Sequence, residues 1–462
     1  MEGKHHIYRH AAYQRSVCFV LQHKSEWQKL SKKDARYFQV YEDGRFWGYK
    51  EKPRSPDDQP QNKFSLTDCA IQEQNRGRYY IFTIRCFQMT SLIERKFSLS
   101  TSEEREEWTS TLLRVYDSLH KSSDGVKPTP RSLEEFELLK LVGHGSFGRV
   151  ILAREKRNGE PCAIKVLKKD LIKQKNEVTH TVTEARVLNT LKHPFLTELK
   201  YLFQTKNYLC MVMEYVIGGD MFGHLRDARI FSEERVRFYG AEICVGIGFL
   251  HSNNVIYRDL KLENLLLDLD GHIRITDFGL CKENISYDNS TRTFCGTPEY
   301  LAPELVELDQ ESDYGRAVDW WSVGVVLYEM LCGNLPFRAM EQQRLFRKIA
   351  YEPVAFPEGL SPMAASLLQG FLCKDARNRL GGSERDVEEI KEHPFFSSID
   401  WGLLEKKQVT PPFKPKVSGS LDTSNFDEEF TCQEISLTPT NSEPDIDDEG
   451  DDPFASFDVH VH

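Results

Sequence analysis

The chain has 462 residues, and this length predicts about three domains. Because 40% of the residues are hydrophobic and 28% are charged, most of the chain can bury apolar surface and fold. Its longest apolar stretch, residues 318–337, still contains Asp319 and Glu329, and the N-terminal residues lack the apolar segment of a secretory signal. These features exclude collagen-like, wholly disordered and membrane-spanning proteins. We therefore expect a cytoplasmic protein, with the nucleus as an alternative compartment.

The charge is unevenly distributed along the chain. Residues 1–121 contain 21 lysines and arginines against 16 acidic residues, a net charge of +5, whereas residues 122–462 contain 39 against 55, a net charge of −16. A basic module on an acidic chain predicts an anionic partner for that module, such as a membrane surface. Nucleic acid is disfavoured as the partner, because the sequence has no long basic run, helix-turn-helix pattern or zinc motif.

Eleven cysteines lie between Cys18 and Cys432 without a C-x-x-C pair, so the sequence indicates neither a disulfide framework nor a zinc module. Buried free thiols are the favoured interpretation. The alternative is a redox switch between Cys281 and Cys295, which bracket a loop discussed below.

The N-terminal region alternates short apolar and aromatic runs with turn signals, among them RYFQVY, EDG and RFWGYKEKP. This pattern predicts a strand-rich meander or barrel. A helix is predicted to follow, because Thr101 and Glu104 form a capping box and apolar residues recur at helical spacing. The apolar face of this helix comprises Trp108, Leu112, Val115 and Leu119. Antiparallel strands closed by one amphipathic helix resemble the pleckstrin homology (PH) domain, which we place at residues 13–118.

Composition divides the rest of the chain into three segments. Residues 119–135 include SSDGVKPTPRS and are predicted to form a linker, and residues 136–396 form a second globular region. Residues 397–462 are Pro-rich and then acidic, with seven acidic residues at positions 443–452. This segment is predicted to be a solvated tail unless its apolar islands, NFDEEF and PFASF, dock elsewhere.

The glycines of LVGHGSFGRV form a G-x-G-x-x-G-x-V pattern between β-prone residues, and glycine lets a backbone approach phosphates closely. Alone, the pattern fits a dinucleotide site or a flexible hairpin. Lys165 follows it on another strand-like run, and Glu184 lies on a helical stretch from which it can pair with Lys165. A dinucleotide-binding unit would instead continue from strand to turn to helix, so the context disfavours that unit.

Three further motifs follow in order: YRDLKLEN at 257–264, DFG at 277–279 and APE at 302–304. With the glycine loop they match the signature set of protein kinases. The segment TFCGTPEYLAPE is similar to the activation segment of AGC-group kinases, and the PH-like region and the C-terminal NFDEEF extend the resemblance to the protein kinase B (Akt) family over nearly the whole chain. The resemblance implies a multidomain protein with a β-barrel PH domain ending in a helix. A bilobal α+β protein kinase domain at residues 136–396 and an extended AGC-kinase tail at 397–462 follow.

The resemblance implies a Ser/Thr protein kinase that transfers the γ-phosphate of ATP with Mg²⁺ as cofactor. Asp259 is expected to accept the proton of the substrate hydroxyl, and Lys261 to lie beside the transferred phosphate as a fixed positive charge. Asn264 and Asp277 are expected to supply oxygen ligands for Mg²⁺. The expected ATP-binding residues are Gly143, Gly145, Gly148, Val150, Lys165, Glu184, Glu214 and Asp220.

Three other residues match structural positions of the family. Glu304 and Arg379 match a buried ion pair beneath the activation segment, and Asp319 matches the residue that supports the catalytic loop. A kinase-fold scaffold without activity is the competing class. Such scaffolds usually lack one of the catalytic residues, and all of them are present here.

Regulation is also implied by the resemblance. Thr293 is expected to be phosphorylated by an upstream phosphoinositide-dependent kinase, and its phosphate to pair with Arg258 and His180. Thr438 matches a second phosphorylation site, in the turn motif. In the C-terminal hydrophobic motif, FASFDV, aspartate occupies the position of the phosphorylated residue, so we expect the tail to dock with partial, phosphorylation-independent stabilisation of the Glu184 helix. The residues of this motif are Phe454, Phe457 and Asp458.

Acidic residues around the peptide groove predict the substrate. Asp220, Glu263 and Glu329 match positions that bind arginine side chains in basophilic relatives. The expected substrates therefore carry Arg three and five residues before the phosphorylated Ser or Thr (R-x-R-x-x-S/T). Asp220 departs from the family, which usually has Glu at this position, and the shorter side chain is expected to loosen that contact.

The expected lipid pocket departs more strongly from the family. Lys24, Arg36 and Arg85 match residues that bind inositol phosphates, but Asp34 stands where the first Arg of an Arg-x-Arg pair is expected and should repel a phosphate. If the lysines at positions 29, 32 and 33 compensate, the domain binds trisphosphorylated phosphoinositide and recruits the protein to the plasma membrane. The alternative is a PH domain that binds lipid weakly, binds protein or covers the kinase groove.

Overall fold

The computed structural model describes residues 12–21, 35–41, 44–49, 60, 62–66, 69–76, 79–88, 91–99, 101–119, 132–145, 148–306 and 313–435, together with Phe454 and Phe457. The chain divides into two units, Met1–Thr129 and Pro130–His462. Across the described ranges, no helix combines the length and the apolar character needed to cross a membrane.

The first unit is an antiparallel sheet followed by one helix. Its strands are β1 (Ala12–Leu21), β2 (Ala35–Tyr41), β3 (Arg45–Tyr49), β4 (Asn62–Ser65), β5 (Cys69–Arg76), β6 (Tyr79–Gln88) and β7 (Ser91–Leu99), and the helix is α1 (Ser102–Leu119). The strands are hydrogen-bonded in the order β4-β3-β2-β1-β7-β6-β5. This architecture confirms the PH-type fold expected from the sequence.

Helix α1 begins and packs as the sequence predicts. The main-chain N–H of Glu104 donates to the Thr101 hydroxyl at 3.2 Å, which satisfies one of the N–H groups left unpaired in the first helical turn. Trp108, Leu112 and Val115 are buried in one cluster with phenylalanines of the sheet. Burying a large apolar side chain contributes about 1.5–3 kcal/mol, so this face holds the helix on the sheet.

The second unit begins with a small lobe of five strands and two helices. Its elements are β8 (Phe136–Gly145), β9 (Gly148–Glu155), β10 (Pro161–Lys168), α2 (Lys169–Gln174), α3 (Val178–Thr190), β11 (Leu199–Gln204) and β12 (Tyr208–Glu214). The strand order is β11-β12-β10-β9-β8, and the register places Lys165 between Val150 and Met211. A 3₁₀ turn at Leu133–Glu135 precedes β8, so the end of the segment predicted as a linker is structured.

The glycine pattern forms the hairpin between β8 and β9, in which Gly145 pairs with Gly148. A Cβ atom at Gly148 would lie 1.9 Å from the carbonyl oxygen of Val166 on β10, so only glycine fits there. The strand–turn–strand geometry confirms that the motif is not a dinucleotide-binding strand–turn–helix unit.

The large lobe is built around two buried helices, α5 (Glu233–Ser252) and α7 (Ala317–Cys332). The apolar stretch at 318–337 is therefore the centre of a domain core. The other helices are α4 (Met221–Ala228), α6 (Pro303–Val306), α8 (Gln342–Tyr351), α9 (Pro362–Phe371), α10 (Val387–Lys391) and α11 (Trp401–Glu405). The short strands are β13 (Val255–Ile256), β14 (Leu265–Leu267), β15 (Ile273–Ile275) and β16 (Lys282–Glu283), and they flank the YRDLKLEN and DFG motifs.

The C-terminal tail returns to the small lobe. The Tyr215 hydroxyl donates to the carbonyl oxygen of Asp422 at 2.6 Å, and the rings of Tyr215 and Phe426 stack at 5.6 Å just before helix α12 (Glu428–Thr431). Phe454 is fully buried, and the side-chain amide of Gln204 donates to its carbonyl oxygen at 3.0 Å. The islands NFDEEF and PFASF therefore do dock.

Candidate active site

A partly buried lysine connects the sheet of the small lobe with helix α3 and the DFG motif. The Lys165 ammonium lies 2.5 Å from a Glu184 carboxylate oxygen and 3.1 Å from a carboxylate oxygen of Asp277. Burial opposes the charge of Lys165, but Asp277 and Glu184 outweigh burial and raise the pKa of the lysine above its ordinary value. Lys165 in turn lowers the pKa of Asp277. The lysine is charged, and the Asp277 carboxylate is anionic.

The backbone of the DFG motif places Asp277 at this site. Asp277 has a φ of +62°, in the left-handed region that non-glycine residues rarely adopt. A Cβ atom at Gly279 would lie 3.4 Å from Asp277 Oδ1 and 3.7 Å from a Glu184 carboxylate oxygen. Gly279 therefore lies next to both carboxylates that approach the lysine, at ordinary van der Waals distance.

A second set of hydrogen bonds surrounds Asp259. One of its carboxylate oxygens accepts from the Lys261 ammonium at 2.8 Å and from the Asn264 amide at 3.2 Å, and the other accepts from the Thr297 hydroxyl at 2.7 Å. Lys261 also donates to the Thr297 hydroxyl oxygen at 3.0 Å. Thr297 was missed by the sequence analysis, although it lies inside the TFCGTPEYLAPE motif, because a lone hydroxyl residue carries no chemical signal of its own.

The loop that carries Asp259 is held by a buried carboxylate. Asp319 of α7 accepts the main-chain N–H groups of Tyr257 at 2.8 Å and Arg258 at 2.7 Å. Arg258 has a φ of +70°, a conformation that costs a non-glycine residue about 1–3 kcal/mol. The two charged hydrogen bonds to Asp319 offset this strain, and they fix the residue that precedes Asp259.

Asp319 is itself held by a buried histidine that the sequence analysis missed. His251 Nε2 lies 2.8 Å from Asp319, and His251 Nδ1 lies 3.1 Å from both carboxylate oxygens of Asp386. Although burial opposes a charged imidazole, these two carboxylates raise the pKa of His251 to about 9. Both ring nitrogens therefore donate. The indole N–H of Trp320 completes the network with a 2.6 Å hydrogen bond to Asp386.

The buried ion pair expected beneath the activation segment is present. Both terminal nitrogens of Arg379 donate to the Glu304 carboxylate, at 2.7 and 2.8 Å, and the Arg379 side chain is fully buried. This bidentate geometry connects the APE motif to the loop after α9.

Asp277 and Asn264 offer the oxygens that a magnesium ion prefers. The Asn264 amide nitrogen donates to the carbonyl and the carboxylate of Asp259, which leaves its amide oxygen available as a ligand. The Asp277 carboxylate is anionic, and its side chain is 48% exposed. Because Mg²⁺ in phosphoryl-transfer sites usually binds one or two protein oxygens together with phosphates and waters, these residues fit the ion.

Glu263 lies within electrostatic reach of Asp220 and of Glu329, the other two acidic residues predicted to bind substrate arginines. Burial raises the pKa of Glu329, and the nearby Glu263 raises it further, while a 2.7 Å hydrogen bond from the Tyr300 hydroxyl opposes the increase. Asp220 acts in the same direction on Glu263. Asp220 also accepts the N–H of Gly223 at 2.7 Å and is thereby the N-cap of α4.

The carboxylate of Glu214 is engaged by other residues of the protein and is not available to bind a nucleotide. It accepts the main-chain N–H of Glu198 at 2.9 Å and lies 3.3 Å from the Arg274 guanidinium. Any contact that Glu214 makes with ATP therefore comes from its main chain, at the end of β12. The sequence alone did not distinguish these two parts of the residue.

The activation segment places Thr293 at the surface. The Thr293 side chain is exposed, and its carbonyl oxygen accepts from the Tyr314 hydroxyl. Arg258 donates to the Tyr314 hydroxyl at 3.0 Å, so it reaches the segment through that tyrosine. His180 in the first turn of α3 lies 2.6 Å from the carboxylate of Glu177, the residue before the helix.

The cysteines among the described side chains are free thiols. Burial raises the pKa of Cys281 and Cys295, which suppresses the reactive thiolate. The interpretation as free thiols is therefore favoured over a redox switch for this pair.

Most of the expected lipid and tail sites fall where side chains are not described. Lys24, Asp34, Thr438 and Asp458 lie outside the described residues. Arg36 pairs with Cys18 in the strand register, and Arg85 pairs with Ala70 and Glu94. The backbone thus places both arginines in the sheet of the first unit.

Comparison with known proteins agrees with this geometry. Residues 136–396 match the protein kinase domain, residues 17–116 the PH domain and residues 417–458 the protein kinase C terminal domain. The chain is 51% identical over 431 residues to the RAC-beta serine/threonine-protein kinase of Homo sapiens, covering 87% of this chain and 89% of that protein. It is 49% identical over 439 residues to the RAC-beta serine/threonine-protein kinase of Mus musculus, covering 89% and 91%. It is also 49% identical over 444 residues to RAC-beta serine/threonine-protein kinase A of Xenopus laevis, with the same coverage.

The fold and the site define a Ser/Thr protein kinase of the AGC group with an N-terminal PH domain. More narrowly, the chain belongs to the RAC (Akt) family of serine/threonine-protein kinases, as the sequence motifs predicted.

Proposed function

We propose that this kinase phosphorylates Ser or Thr in R-x-R-x-x-S/T sequences, with Mg²⁺ as cofactor, after phosphorylation of its own Thr293 by an upstream phosphoinositide-dependent kinase. The observation that carries the proposal is the contact of Lys165 with both Glu184 and Asp277, at 2.5 and 3.1 Å. This contact joins the small lobe to the large lobe at the nucleotide site.

Phosphoryl transfer requires positioning of the nucleotide and neutralisation of its charge. Lys165, held by Glu184, binds the α and β phosphates, and the amides of the β8–β9 hairpin cover the β and γ phosphates. Asp277 and Asn264 are the residues that would hold Mg²⁺, which supplies positive charge against the phosphates when bound.

The substrate hydroxyl is activated from the other side. Asp259 accepts the proton of the substrate hydroxyl. Hydrogen bonds from Asn264 and Thr297 hold the Asp259 carboxylate in the position that this transfer requires. Lys261, 2.8 Å from Asp259, provides a fixed positive charge beside the transferred phosphate. Thr297 bridges the two side chains and keeps them at this separation.

The test is Mg²⁺-dependent turnover of an R-x-R-x-x-S peptide by the Thr293-phosphorylated enzyme. Asp277→Asn should lower kcat by about 10³-fold or more, whereas Asp270→Asn, at a surface position 71% exposed, should not change it. Absence of turnover by the phosphorylated wild type would instead favour the scaffold.

The arginine preference is tested separately. Glu263→Gln and Glu329→Gln should each raise KM for the R-x-R-x-x-S peptide by about tenfold, since each removes one carboxylate from a charged hydrogen bond worth about 1.5–3 kcal/mol. Peptides in which the arginines are replaced by alanine should respond to neither substitution. Equal effects on both peptides would contradict the assignment.

Activation by phosphate at Thr293 follows from charge. A phosphate adds about −1.5 to −2 charge next to Arg258, which already reaches this segment through Tyr314. Pairing would order the segment and hold Glu184 towards Lys165. Thr293→Val should therefore keep only basal activity after treatment with the upstream kinase, and full activity of this variant would refute the mechanism.

The hydrophobic motif is proposed to act without phosphorylation, while Thr438 retains phosphoregulation. Phe454 and Phe457 are buried, and aspartate at position 458 supplies one negative charge where relatives carry a phosphate. Asp458→Ala should lower the activity of Thr293-phosphorylated enzyme. Unchanged activity would show that this charge does not support α3.

Recruitment to the plasma membrane is proposed through trisphosphorylated phosphoinositide, with the protein otherwise cytoplasmic. Sedimentation of the full chain with liposomes, with and without this lipid at physiological salt, tests the proposal, and Arg36→Ala should abolish lipid-specific binding. Failure of the folded wild type to bind would favour a PH domain that binds protein or covers the kinase groove.

A further inference from the structure

Helix α8 presents two chemically different faces. Leu345 and Ile349 are buried, whereas Arg344, Arg347 and Tyr351 are exposed at spacings of three and four residues, which places them on one side of the helix. Tyr351 has 68% of its surface exposed. The outer face of the helix therefore combines two cations with an aromatic ring.

The turn before α8 also carries exposed side chains. Arg338 is exposed, and Met340 is fully exposed. We call Arg338, Met340, Arg344, Arg347 and Tyr351 the α8 surface. Across the parts of the chain that the structure describes, no carboxylate lies within 4.0 Å of any of its three arginines.

Within its own segment, residues 338–352, the α8 surface keeps an excess of positive charge. Glu341 and Glu352 stand at the two ends of the helix, and Glu352 lies 3.9 Å from Lys348. Residues 338–352 have a formal charge of +2 in a chain whose net charge is −11. A basic surface with exposed apolar side chains favours an acidic partner that also carries apolar residues.

The α8 surface adjoins the activation segment. The ring of Phe294, next to Thr293, packs edge-on against Phe346 of α8 with centroids 6.1 Å apart. Arg338 lies close enough to Glu329 to act on its carboxylate. The α8 surface is therefore within reach of a protein substrate that extends beyond the arginine-binding acids.

We propose that the α8 surface is a second docking site for protein substrates, which binds an acidic segment containing apolar residues outside the R-x-R-x-x-S/T sequence. The opposite charges of the two sites prevent exchange of their ligands, because the acids around Glu329 repel an acidic segment and the α8 surface repels arginines. This proposal rests on the proposed function. The α8 surface would select protein substrates by an acidic segment that a short R-x-R-x-x-S peptide lacks.

Steady-state kinetics test the docking. An R-x-R-x-x-S peptide is joined through a Gly/Ser linker, at either end, to an acidic segment or to the same segment with Asn and Gln in place of Asp and Glu. With wild-type enzyme at low salt, the peptide with the acidic segment should have a KM about fivefold lower than the peptide with the neutral segment. Its kcat should be unchanged, and the difference should appear for attachment at one end of the peptide or at both. The advantage should disappear in Arg344→Glu/Arg347→Glu.

A matched variant controls for the overall charge of the protein. Arg157→Glu/Lys406→Glu changes the net charge equally at two other exposed positions and should retain the fivefold advantage. All variants should turn over the short peptide as the wild type does. Equal KM values for the acidic and neutral peptides with wild type, or equal loss of the advantage in both double variants, would overturn the proposal.

A binding measurement separates this proposal from the kinase activity. Fluorescence anisotropy of the labelled acidic segment alone, without a phosphorylatable residue, should show saturable binding to the full-length wild type. Binding should be at least about fivefold weaker to Arg344→Glu/Arg347→Glu. Binding without peptide turnover would contradict only the proposed function, whereas turnover of the short peptide without such binding would contradict the α8 site.

Discussion

The charge on His251 is expected to make the stability of the kinase unit depend on pH above neutrality. Burial alone lowers the pKa of this imidazole, but hydrogen bonds to Asp319 and Asp386 outweigh burial and raise it from 6.5 to about 9. A group whose pKa rises on folding contributes stability that is complete below its unfolded pKa and is lost as the pH rises through its folded pKa. The contribution of His251 is therefore complete below about pH 6.5 and disappears as the pH passes about 9.

The expected magnitude follows from the size of this shift. One pKa unit corresponds to about 1.4 kcal/mol, so protonation of His251 contributes about 3 kcal/mol to the free energy of unfolding. In a unit of this size, that amounts to about 6 °C in the unfolding midpoint, at about 2 °C per kcal/mol. The side chain is fully buried, so solvent screening does not reduce the effect.

Thermal unfolding of the full chain measures this contribution. Wild type and His251→Gln are compared from about pH 6.5 to about pH 10, following the transition that ATP and Mg²⁺ shift to higher temperature. Both proteins contain every other titrating group, so the difference between their midpoints isolates the imidazole. This difference should shrink by about 6 °C across the range. Midpoints that change in parallel would refute a charged His251.

Three further predictions concern backbone space, a buried ion pair and a helix cap. Gly148→Ala should destabilise the small lobe by about 2 kcal/mol or more in denaturant unfolding, because its Cβ atom would collide with the main chain of β10. Gly145→Ala, whose nearest atom would be 3.9 Å away, should cost about 0.5 kcal/mol at most; similar losses would contradict this reading. Arg379→Met should cost about 3 kcal/mol because it leaves the largely buried carboxylate of Glu304 unpaired, and Arg377→Met, with its side chain 90% exposed, should be nearly neutral in the same assay. Asp220→Ala should cost about 1 kcal/mol through the lost cap of α4 and weaken selection of arginine peptides, whereas Asp220→Asn should weaken selection alone; equal destabilisation by both would exclude the capping role.

Sequence motifs predicted the parts of the site that are encoded by contiguous, chemically distinctive residues. Lys165 and Asp277 are 112 residues apart, yet each stands in a motif whose spacing identifies the class of protein, and the structure brings them within 3.1 Å. The hairpin of the glycine motif was predictable for a similar reason, because the strand after it contradicts a strand–turn–helix unit.

The residues that sequence reasoning missed act through contacts that only the fold creates. His251 and Asp386 are 135 residues apart, and a single histidine in a helix has no pattern that distinguishes a buried charged network from a solvated side chain. Glu214 is a second example. Its position in the sequence predicted a ligand for ATP, but its carboxylate forms an ion pair with Arg274 that the sequence does not reveal. Long-range side-chain pairing is the information that local periodicity lacks.

The supports of the two halves of the active site come from different parts of the kinase unit, which bears on how the enzyme can be regulated. Asp259 depends on a buried network that ends in Asp319 and His251, both without side-chain exposure. Glu184 instead lies on α3, which contacts α2. Two lysine side chains of α2, those of Lys169 and Lys173, lie beside the ring of Phe454 from the tail. A buried network of charged hydrogen bonds costs several kcal/mol to disrupt, whereas a tail that docks through a few apolar side chains detaches at lower cost. If the tail acts as proposed, we therefore expect its release to change the distance between Glu184 and Lys165 and to leave the geometry of Asp259 unchanged.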